Sequence, residues 1–558
     1  MSIATSLPTS EWIESTLADL TLEQKLGQLL QPIIQPKQSR DDTLAVLHGI
    51  EVGGVTLASG TREQVLACTS LVQEQAAVPV VVATDLENGP GRIISNATQF
   101  PDMMAIAAAD RTDYAYTVGK SAALEGRACG IHWSFTPIVD INANWENPIT
   151  NTRGLGDDPE RITRLSTAMI RGMQEHGLAA CAKHFPGDGF DCRDQHLCTS
   201  VNPLRMDEWW RLSGRMFQQA IDAGVWTIMI GHIALPAYDP GDGRTLAAAP
   251  PATLSRKLMT ELLRDTMGFT GLIVTDALGM GGVTSYAPQR EEQILRVMDA
   301  GADVLLFAEV AEDFDILYRA VKQGRLSMER IEQSLRRILH LKELVGLDRH
   351  TELQPVLAED MTVFTATAQA IADAALTVVQ DIEKTIPWAL PPGSKIFSMH
   401  VLGDQEYHVD GFDALLRAEG FEVTTFHEEG RWGSLPSREA LAGYDAILVN
   451  YVFGPTWGTS RIRPHGNMMR NLALIYGMHL ANTVSISFGS PYLQFEFPRM
   501  PVLINTYSPD VHSQAAVIRL LQGHLEATGK SPVDLLAPFR HLGTVALPYA
   551  CGSRGVDH

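Results

Sequence analysis

The residues best suited to chemistry in this sequence lie in one short stretch, Lys183–Gly189, and in Asp194 and His196 just after it. An apolar run ends there in a lysine, a histidine and a Pro-Gly break, which is typical of a buried strand that passes into a loop. The loop carries several aspartates and is therefore too polar to be core. Because functional groups often lie on loops held by a rigid scaffold, the stretch predicts a site at a strand end.

Asp194 and His196 are two positions apart, so in an extended backbone their side chains point the same way. The carboxylate can then accept a hydrogen bond from the imidazole, which fixes the histidine tautomer and raises its basicity. An ordinary aspartate holds a proton at pH 7 only at a cost of roughly 4 kcal/mol, whereas an imidazole titrates close to neutrality. His196 is therefore the candidate general acid. The alternative is a solvated loop that carries these charges by chance.

Asp276 ends the apolar segment Leu272–Asp276. A carboxylate at this position can cap the next helix or take part in catalysis, and spacing alone does not separate the two interpretations. Convergence with the other polar strand ends favours catalysis. Lys183 and His184 are open to a similar choice between a salt-bridged strand end and substrate hydroxyl binding, and we favour hydroxyl binding. His232 is interpreted as a structural histidine and is left out of the site.

Eight short apolar segments alternate with helical patterns and predict the elements that position these residues. The segments are Leu29–Ile34, Gly54–Ala58, Val78–Thr84, Ile131–Pro137, Ala179–His184, Trp226–His232, Leu272–Asp276 and Asp303–Ala308. Eight strand-helix units predict a (β/α)₈ TIM-type barrel, with an open doubly wound sheet as the alternative. In such a barrel the carboxyl ends of the strands share one rim. The polar residues expected at this rim are Asp85, Glu87, Arg153, Lys183, His184, His232 and Asp276.

The rest of the chain predicts a second, smaller α/β domain. After the barrel (residues 1–346) comes a linker with a connecting helix (347–392), and residues 393–558 alternate strands and helices again. This pattern predicts a three-layer α/β/α domain. Its expected strands are Lys395–Val401, Phe421–Phe426, Ala446–Val452, Thr483–Phe488 and Val502–Tyr507.

Composition limits the classes of function. With 558 residues and a net charge of −21, the chain is a poor match for nucleic acid or an anionic membrane. We expect a cytoplasmic enzyme, because the start of the chain has no export signal and the six cysteines are scattered. Neither a cofactor nor a metal is expected, since Cys192 and Cys198 bracket His196 without metal-ligand spacing. The glycines of Gly279–Gly282 match no phosphate loop and are interpreted as turns.

Together these motifs resemble glycoside hydrolase family 3, specifically its cytoplasmic β-N-acetylglucosaminidase branch. The resemblance lies in Lys183–Gly189, the offsets of Asp194 and His196, Thr275–Met280, Asp85–Gly89 and Gly130–Asn142. Four features depart from the family pattern, one of which is that Leu197–Thr199 lacks the proline that often closes this loop. Gln195 stands where serine is frequent, Pro90-Gly91 displaces Arg92, and Ala277 replaces the aromatic residue of the β-glucosidases.

The resemblance implies a retaining exo-β-N-acetylhexosaminidase. Asp276 would be the nucleophile, and His196, oriented by Asp194, would be the acid/base. The sugar hydroxyls would be held by Asp85, Arg92, Arg153, Lys183 and His184. The implied substrates are muropeptides, in cell-wall recycling, or chito-oligosaccharides, and a homodimer is possible.

Other functions remain open at this stage. A neutral imidazole would not repel phosphate as a carboxylate would, so phosphorolysis of β-N-acetylglucosaminides is one alternative. A β-glucosidase-type hydrolase, a metal-dependent hydrolase and a non-catalytic sugar sensor are others. The second domain is expected to pack against the barrel, to lend it a loop such as Arg461–His465, or to support a dimer.

Overall fold

The computed structural model describes residues 7–243, 248–349, 353–403, 408–458, 462–480 and 482–536, so Arg461 of the proposed loop lies outside the described residues. The chain forms two compact units. The first consists of Met1–Gln99, Thr112–Ile141 and Pro159–Phe364, and the second of Phe100–Arg111, Asn142–Asp158 and Thr365–His558. The domain boundaries expected from the sequence stay a prediction.

The first unit is a closed ring of eight parallel strands. The first strand has two parts, Leu30–Gln31 and Ile33–Ile34, and the other seven are Gly54–Leu57, Val81–Thr84, Trp133–Ser134, Cys181–Phe185, Thr227–Ile230, Leu272–Thr275 and Leu305–Leu306. Each strand pairs with its successor, in two places through isolated bridges, at Trp133 with Ala179 and at Val274 with Val304. Leu30 pairs with Leu305 and closes the ring. The (β/α)₈ barrel is confirmed, and an open sheet is wrong for this unit.

Helices separate the barrel strands, and the strands themselves are buried because helices cover them from outside. Thr21 and Gln24 form a capping box at the start of the helix Leu22–Gly27. The α-helices of the unit are Glu11–Asp19, Leu22–Gly27, Arg40–Leu47, Arg62–Glu74, Thr112–Arg127, Pro159–Gln174, Met206–Arg211, Ser213–Asp222, Gly281–Thr284, Arg290–Ala300, Val310–Lys322 and Met328–Leu344. Lys257–Thr266 forms a π-helix.

The second unit contains a six-stranded sheet. In spatial order its strands are Thr377–Asp381, Val502–Asn505, Thr483–Ser487, Ala446–Val452, Lys395–Leu402 and Glu422–Glu428. All five predicted strands are present. The sixth, Thr377–Asp381, lies in the segment interpreted as a linker and pairs antiparallel at the sheet edge.

Helices cover both faces of this sheet, so the predicted α/β/α layering is confirmed. One face of the sheet packs against helices that contribute Phe412 and Leu521, and the opposite face packs against helices that contribute Leu441 and Ile475. The α-helices of the unit are Met103–Ala109, Asp410–Ala418, Arg438–Leu441, Gly466–Gly477 and Val511–Leu521, and Ala358–Ala375 runs across the division between the units. None of the described helices is both long and apolar enough to cross a lipid bilayer.

Candidate active site

Lys183, in the fifth strand, forms ion pairs with two carboxylates that follow the third strand. Its Nζ lies 2.7 Å from Asp85 Oδ1 and 3.0 Å from Glu87 Oε1. The lysine and Glu87 are buried, whereas the Asp85 side chain is 51% exposed. The lysine therefore fixes Asp85 at the rim of the barrel, where its carboxylate is accessible to a ligand.

His184 is oriented by Asp140, which follows the fourth strand. The imidazole Nδ1 lies 2.7 Å from Asp140 Oδ2, and the backbone N–H of His184 donates to the same carboxylate. Asp140 is fully buried and also accepts a hydrogen bond from the backbone N–H of Asp188. Since Nδ1 is engaged, Nε2 is the ring nitrogen that can meet a substrate hydroxyl. Asp140 was not among the site residues predicted from the sequence, and its one local signal is a carboxylate inside the apolar run Val139–Ile141.

Asp194 and His196 form the predicted pair. His196 Nδ1 lies 2.7 Å from Asp194 Oδ1, and the backbone N–H of His196 donates to the same oxygen at 2.8 Å. The pair sits in a turn, in which Leu197 N–H donates to the carbonyl of Asp194, so the extended conformation assumed for it is wrong. Asp194 is buried and the His196 side chain is 28% exposed. The histidine therefore presents its Nε2 from a fixed tautomer.

Asp276 follows the seventh strand and caps no helix, so the capping interpretation is wrong. The next helix begins at Gly281 after Met280, and Asp276 Oδ1 instead accepts from the backbone N–H of Ala277 at 2.8 Å. Burial disfavours its charge, but the imidazoles of His184, His232 and His196 lower the pKa of Asp276 below that of an ordinary aspartate. Because such interactions weaken with distance, these imidazoles lie in the neighbourhood of Asp276.

His232 lies beside this site and is held by hydrogen bonds at both ring nitrogens. It is fully buried, its Nδ1 lies 2.7 Å from Thr253 Oγ1, and its Nε2 donates to the carbonyl of Ala277 at 2.9 Å. Burial lowers the pKa of His232, against the opposing effect of the Asp276 charge. Both ring nitrogens are thus engaged, which fits the structural role expected for this residue.

The two arginines of the predicted site lie on 3₁₀ turns. Arg92 ends Pro90–Arg92, which follows the third barrel strand, and Arg153 ends Asn151–Arg153, which belongs to the second unit. Their roles in ligand binding stay predictions. Across the described ranges, no group of three His, Cys, Asp or Glu side chains is arranged to hold a metal ion.

The chain is similar to known proteins over most of its length. The family model described as "Glycosyl hydrolase family 3 N terminal domain" matches residues 21–341. A "Beta-N-acetylglucosaminidase/beta-glucosidase" of Cellulomonas fimi is 35% identical over 94% of this chain and 95% of its own length.

Two solved structures are also similar over nearly the whole chain. The β-glucoside phosphorylase BglX bound to 2FGlc has a TM-score of 0.86 and 32% identity, over 96% of this chain and 99% of its own. A glycoside hydrolase family 3 β-N-acetylglucosaminidase from Paenibacillus sp. str. FPU-7 has a TM-score of 0.79 and 25% identity, over 92% and 99%.

Proposed function

Because the chain belongs to glycoside hydrolase family 3 and is an enzyme of that family, we propose that it is a retaining exo-β-N-acetylhexosaminidase acting on terminal β-GlcNAc. The observation that carries the proposal is the group formed by Asp276 and the Asp194–His196 pair. An aspartate with a lowered pKa is ionised at neutral pH, as a nucleophile must be. A histidine with a fixed tautomer is suited to be its acid/base partner.

In the first proposed step, Asp276 attacks the anomeric carbon and a glycosyl ester forms. The bond to the leaving oxygen breaks as His196 Nε2–H gives that oxygen a proton, and Asp194 then faces an uncharged imidazole. Asp194 thus stabilises the imidazolium before transfer and holds the ring in place throughout. In the second step the neutral imidazole removes a proton from water, which attacks the anomeric carbon and releases Asp276.

The sugar would be held by groups that the structure keeps rigid. Lys183 and Asp85 are joined by an ion pair, and His184 is fixed by Asp140, so their polar atoms are arranged before the substrate arrives. We include Arg92 and Arg153 in this set from the sequence motif alone.

For the natural substrate we propose muropeptides or chito-oligosaccharides inside the cell. The names of the Cellulomonas and Paenibacillus relatives include β-N-acetylglucosaminidase, which supports the sugar. The Cellulomonas name also includes β-glucosidase, so glucosides are the first alternative substrate. The scattered cysteines support the location, and those described are free thiols.

The proposal is tested by following 4-nitrophenyl β-GlcNAc and β-glucoside cleavage and identifying the first-formed anomer by NMR. We expect cleavage of the GlcNAc derivative with β-GlcNAc released first. The α-anomer as first product would contradict retention, and absence of cleavage would favour a non-catalytic sugar sensor.

Phosphorolysis is a second candidate function, favoured by the likeness to BglX, which is described as a β-glucoside phosphorylase. An uncharged imidazole presents no negative charge to an incoming phosphate, whereas a carboxylate base would repel it. The same assay with added inorganic phosphate separates the two functions. Hydrolysis gives free GlcNAc at a rate independent of phosphate, and phosphorolysis gives the sugar 1-phosphate at a rate that rises with phosphate.

A further inference from the structure

The loop that carries Asp194 and His196 is fastened to the segment that follows Asp276. Gly281 N–H donates to the carbonyl of His196 at 2.7 Å, and Gly282 N–H donates to the carbonyl of Gln195 at 2.9 Å. Thr199 Oγ1 adds a bond to the Gly282 carbonyl at 2.7 Å. The candidate acid/base and the candidate nucleophile are therefore held on two backbone segments that are bonded directly to each other.

The close approach of these segments explains why glycine occupies both positions. A Cβ on Gly281 would overlap the carbonyl of Leu197, and one on Gly282 would lie 2.5 Å from the carbonyl oxygen of Gln195. Gly279 lies in a turn, as predicted, whereas the same interpretation is wrong for Gly281 and Gly282, which begin the helix Gly281–Thr284. Their small size lets the loop dock against the helix start.

Gln195 lies between Asp194 and His196 but points inward and is fully buried. Its Oε1 accepts the backbone N–H of His232 at 2.9 Å, and its Nε2 donates to Asp188 Oδ2 at 3.3 Å. Each of these partners leads to another part of the site. His232 bonds the Ala277 carbonyl next to Asp276, and the Asp188 N–H bonds Asp140, the partner of His184.

We propose that Gln195 is a positioning residue that sets the imidazole of His196 relative to Asp276, an inference that rests on the proposed function. The Gln195 amide bonds to His232, just after the sixth strand, and to Asp188, at the start of the loop that carries Gln195 itself. Because the loop has no strand pairing between residues 188 and 199, these side-chain and backbone bonds determine where His196 stands. Loss of the amide would leave the imidazole present but poorly placed for proton transfer.

The test is a comparison of leaving groups with Gln195→Ala. Phenolate from phenyl β-GlcNAc needs a proton as it departs, whereas 2,4-dinitrophenolate does not. We expect kcat/KM for the phenyl glycoside to fall by about 30-fold or more, since a general acid contributes about 10²- to 10⁴-fold, and kcat/KM for the dinitrophenyl glycoside to change less than about 3-fold. A residue that only supports the fold would lower both rates alike.

Two further variants calibrate this result. Gln293 is another buried glutamine of the barrel, bonded to the Ala287 carbonyl, and Gln293→Ala should change both rates equally. His196→Ala should show the selective loss in its strongest form. If His196→Ala is selective and Gln195→Ala is not, the inference fails alone. If the wild-type enzyme cleaves neither glycoside, the proposed function fails with it.

Gln195→Glu keeps the shape of the side chain and provides a second test if the alanine variant does not fold. The new carboxylate still accepts from His232 but meets the Asp188 carboxylate, so the two repel unless they share a proton. We expect a selective loss on the phenyl glycoside at pH 7 that diminishes as the pH is lowered. A loss independent of pH and of the leaving group would overturn the proposal.

Discussion

The two ends of the barrel both contain buried charges, but the charges are arranged differently. At the amino end, Asp303 lies at the start of the eighth strand and is surrounded by arginines. Arg264 Nη2 lies 2.6 Å and Arg337 Nη1 3.1 Å from its carboxylate, and Ser334 and the Ile273 N–H add further bonds. At the carboxyl end the buried carboxylates Asp140 and Asp194 are paired with imidazoles instead.

The contrast shows that burial of charge does not by itself identify a site. The arginines of the amino end bond backbone carbonyls as well as Asp303, so they join strands and helices of the barrel to one another. The imidazoles of the carboxyl end each use one ring nitrogen for a carboxylate and keep the other for a ligand. The type of residue paired with each buried carboxylate, and not the number of charges, therefore distinguishes the structural end of the barrel from the end with the candidate active site.

Replacement of Asp276 by asparagine affects the carboxyl end alone and has the largest expected effect. An amide cannot form the glycosyl ester, so kcat/KM on 4-nitrophenyl β-GlcNAc should fall by about 10⁴-fold or more. The free energy of unfolding in urea should change little, because the variant keeps the size of the side chain. A variant that retains a tenth of the wild-type rate would contradict the assignment of Asp276.

Replacement of Asp303 by asparagine is the matching change at the amino end. It leaves several buried guanidinium groups without their carboxylate, and we expect the free energy of unfolding to fall by about 3–5 kcal/mol. The kcat of the folded variant should equal that of wild type. It is measured without urea, or at urea concentrations at which the variant is still folded. A large loss of kcat with unchanged stability would remove the distinction between the two ends.

The same contrast explains what the sequence could and could not predict. The barrel strands follow from apolar runs, and the Asp194–His196 pair was predictable because its members are two positions apart. Asp140 was not, since His184 and Asp188 lie 44 and 48 residues further along the chain. Gln195 likewise contacts His232 from 37 residues away. Long-range side-chain bonds leave no periodic pattern, so the residues that orient the site appear only in the folded chain.

Replacement of Asp140 by asparagine tests the orientation of a carboxyl-end imidazole. His184 and Asp188 would lose the charged acceptor that fixes them, and a small misplacement of a substrate-binding group is costly. We expect kcat/KM to fall by about 10- to 100-fold on both phenyl and dinitrophenyl glycosides. An effect confined to the phenyl glycoside would instead assign Asp140 to the proton-transfer network.

Lys342 gives the smallest and most specific prediction, because it can be compared directly with Lys183. Both lysines are buried, but Lys183 lies between two carboxylates, whereas the partner of Lys342 is the amide oxygen of Gln28 at 2.5 Å. Burial lowers the pKa of Lys342 from 10.5 to about 7. Between these two values the unfolded chain binds a proton that the folded chain does not, so the free energy of unfolding should rise with pH through this window. Below pH 7 the cost of the buried charge is fully present.

Lys342→Met should therefore stabilise the protein at pH 6 and lose this advantage as the pH approaches 10. We expect a gain of about 1–3 kcal/mol at pH 6, because the gain from removing the buried charge is offset in part by the loss of the only side-chain donor to the Gln28 amide oxygen among the described contacts. Urea unfolding across this pH range measures it. Lys25→Met is the control, because it removes a partly exposed lysine of the helix Leu22–Gly27 whose partner, Glu332, lies on the same helix as Lys342. A stability difference between Lys342→Met and wild type that is constant from pH 6 to 10 would show that Lys342 stays charged when buried. The barrel would then tolerate an isolated buried charge as readily as a paired one.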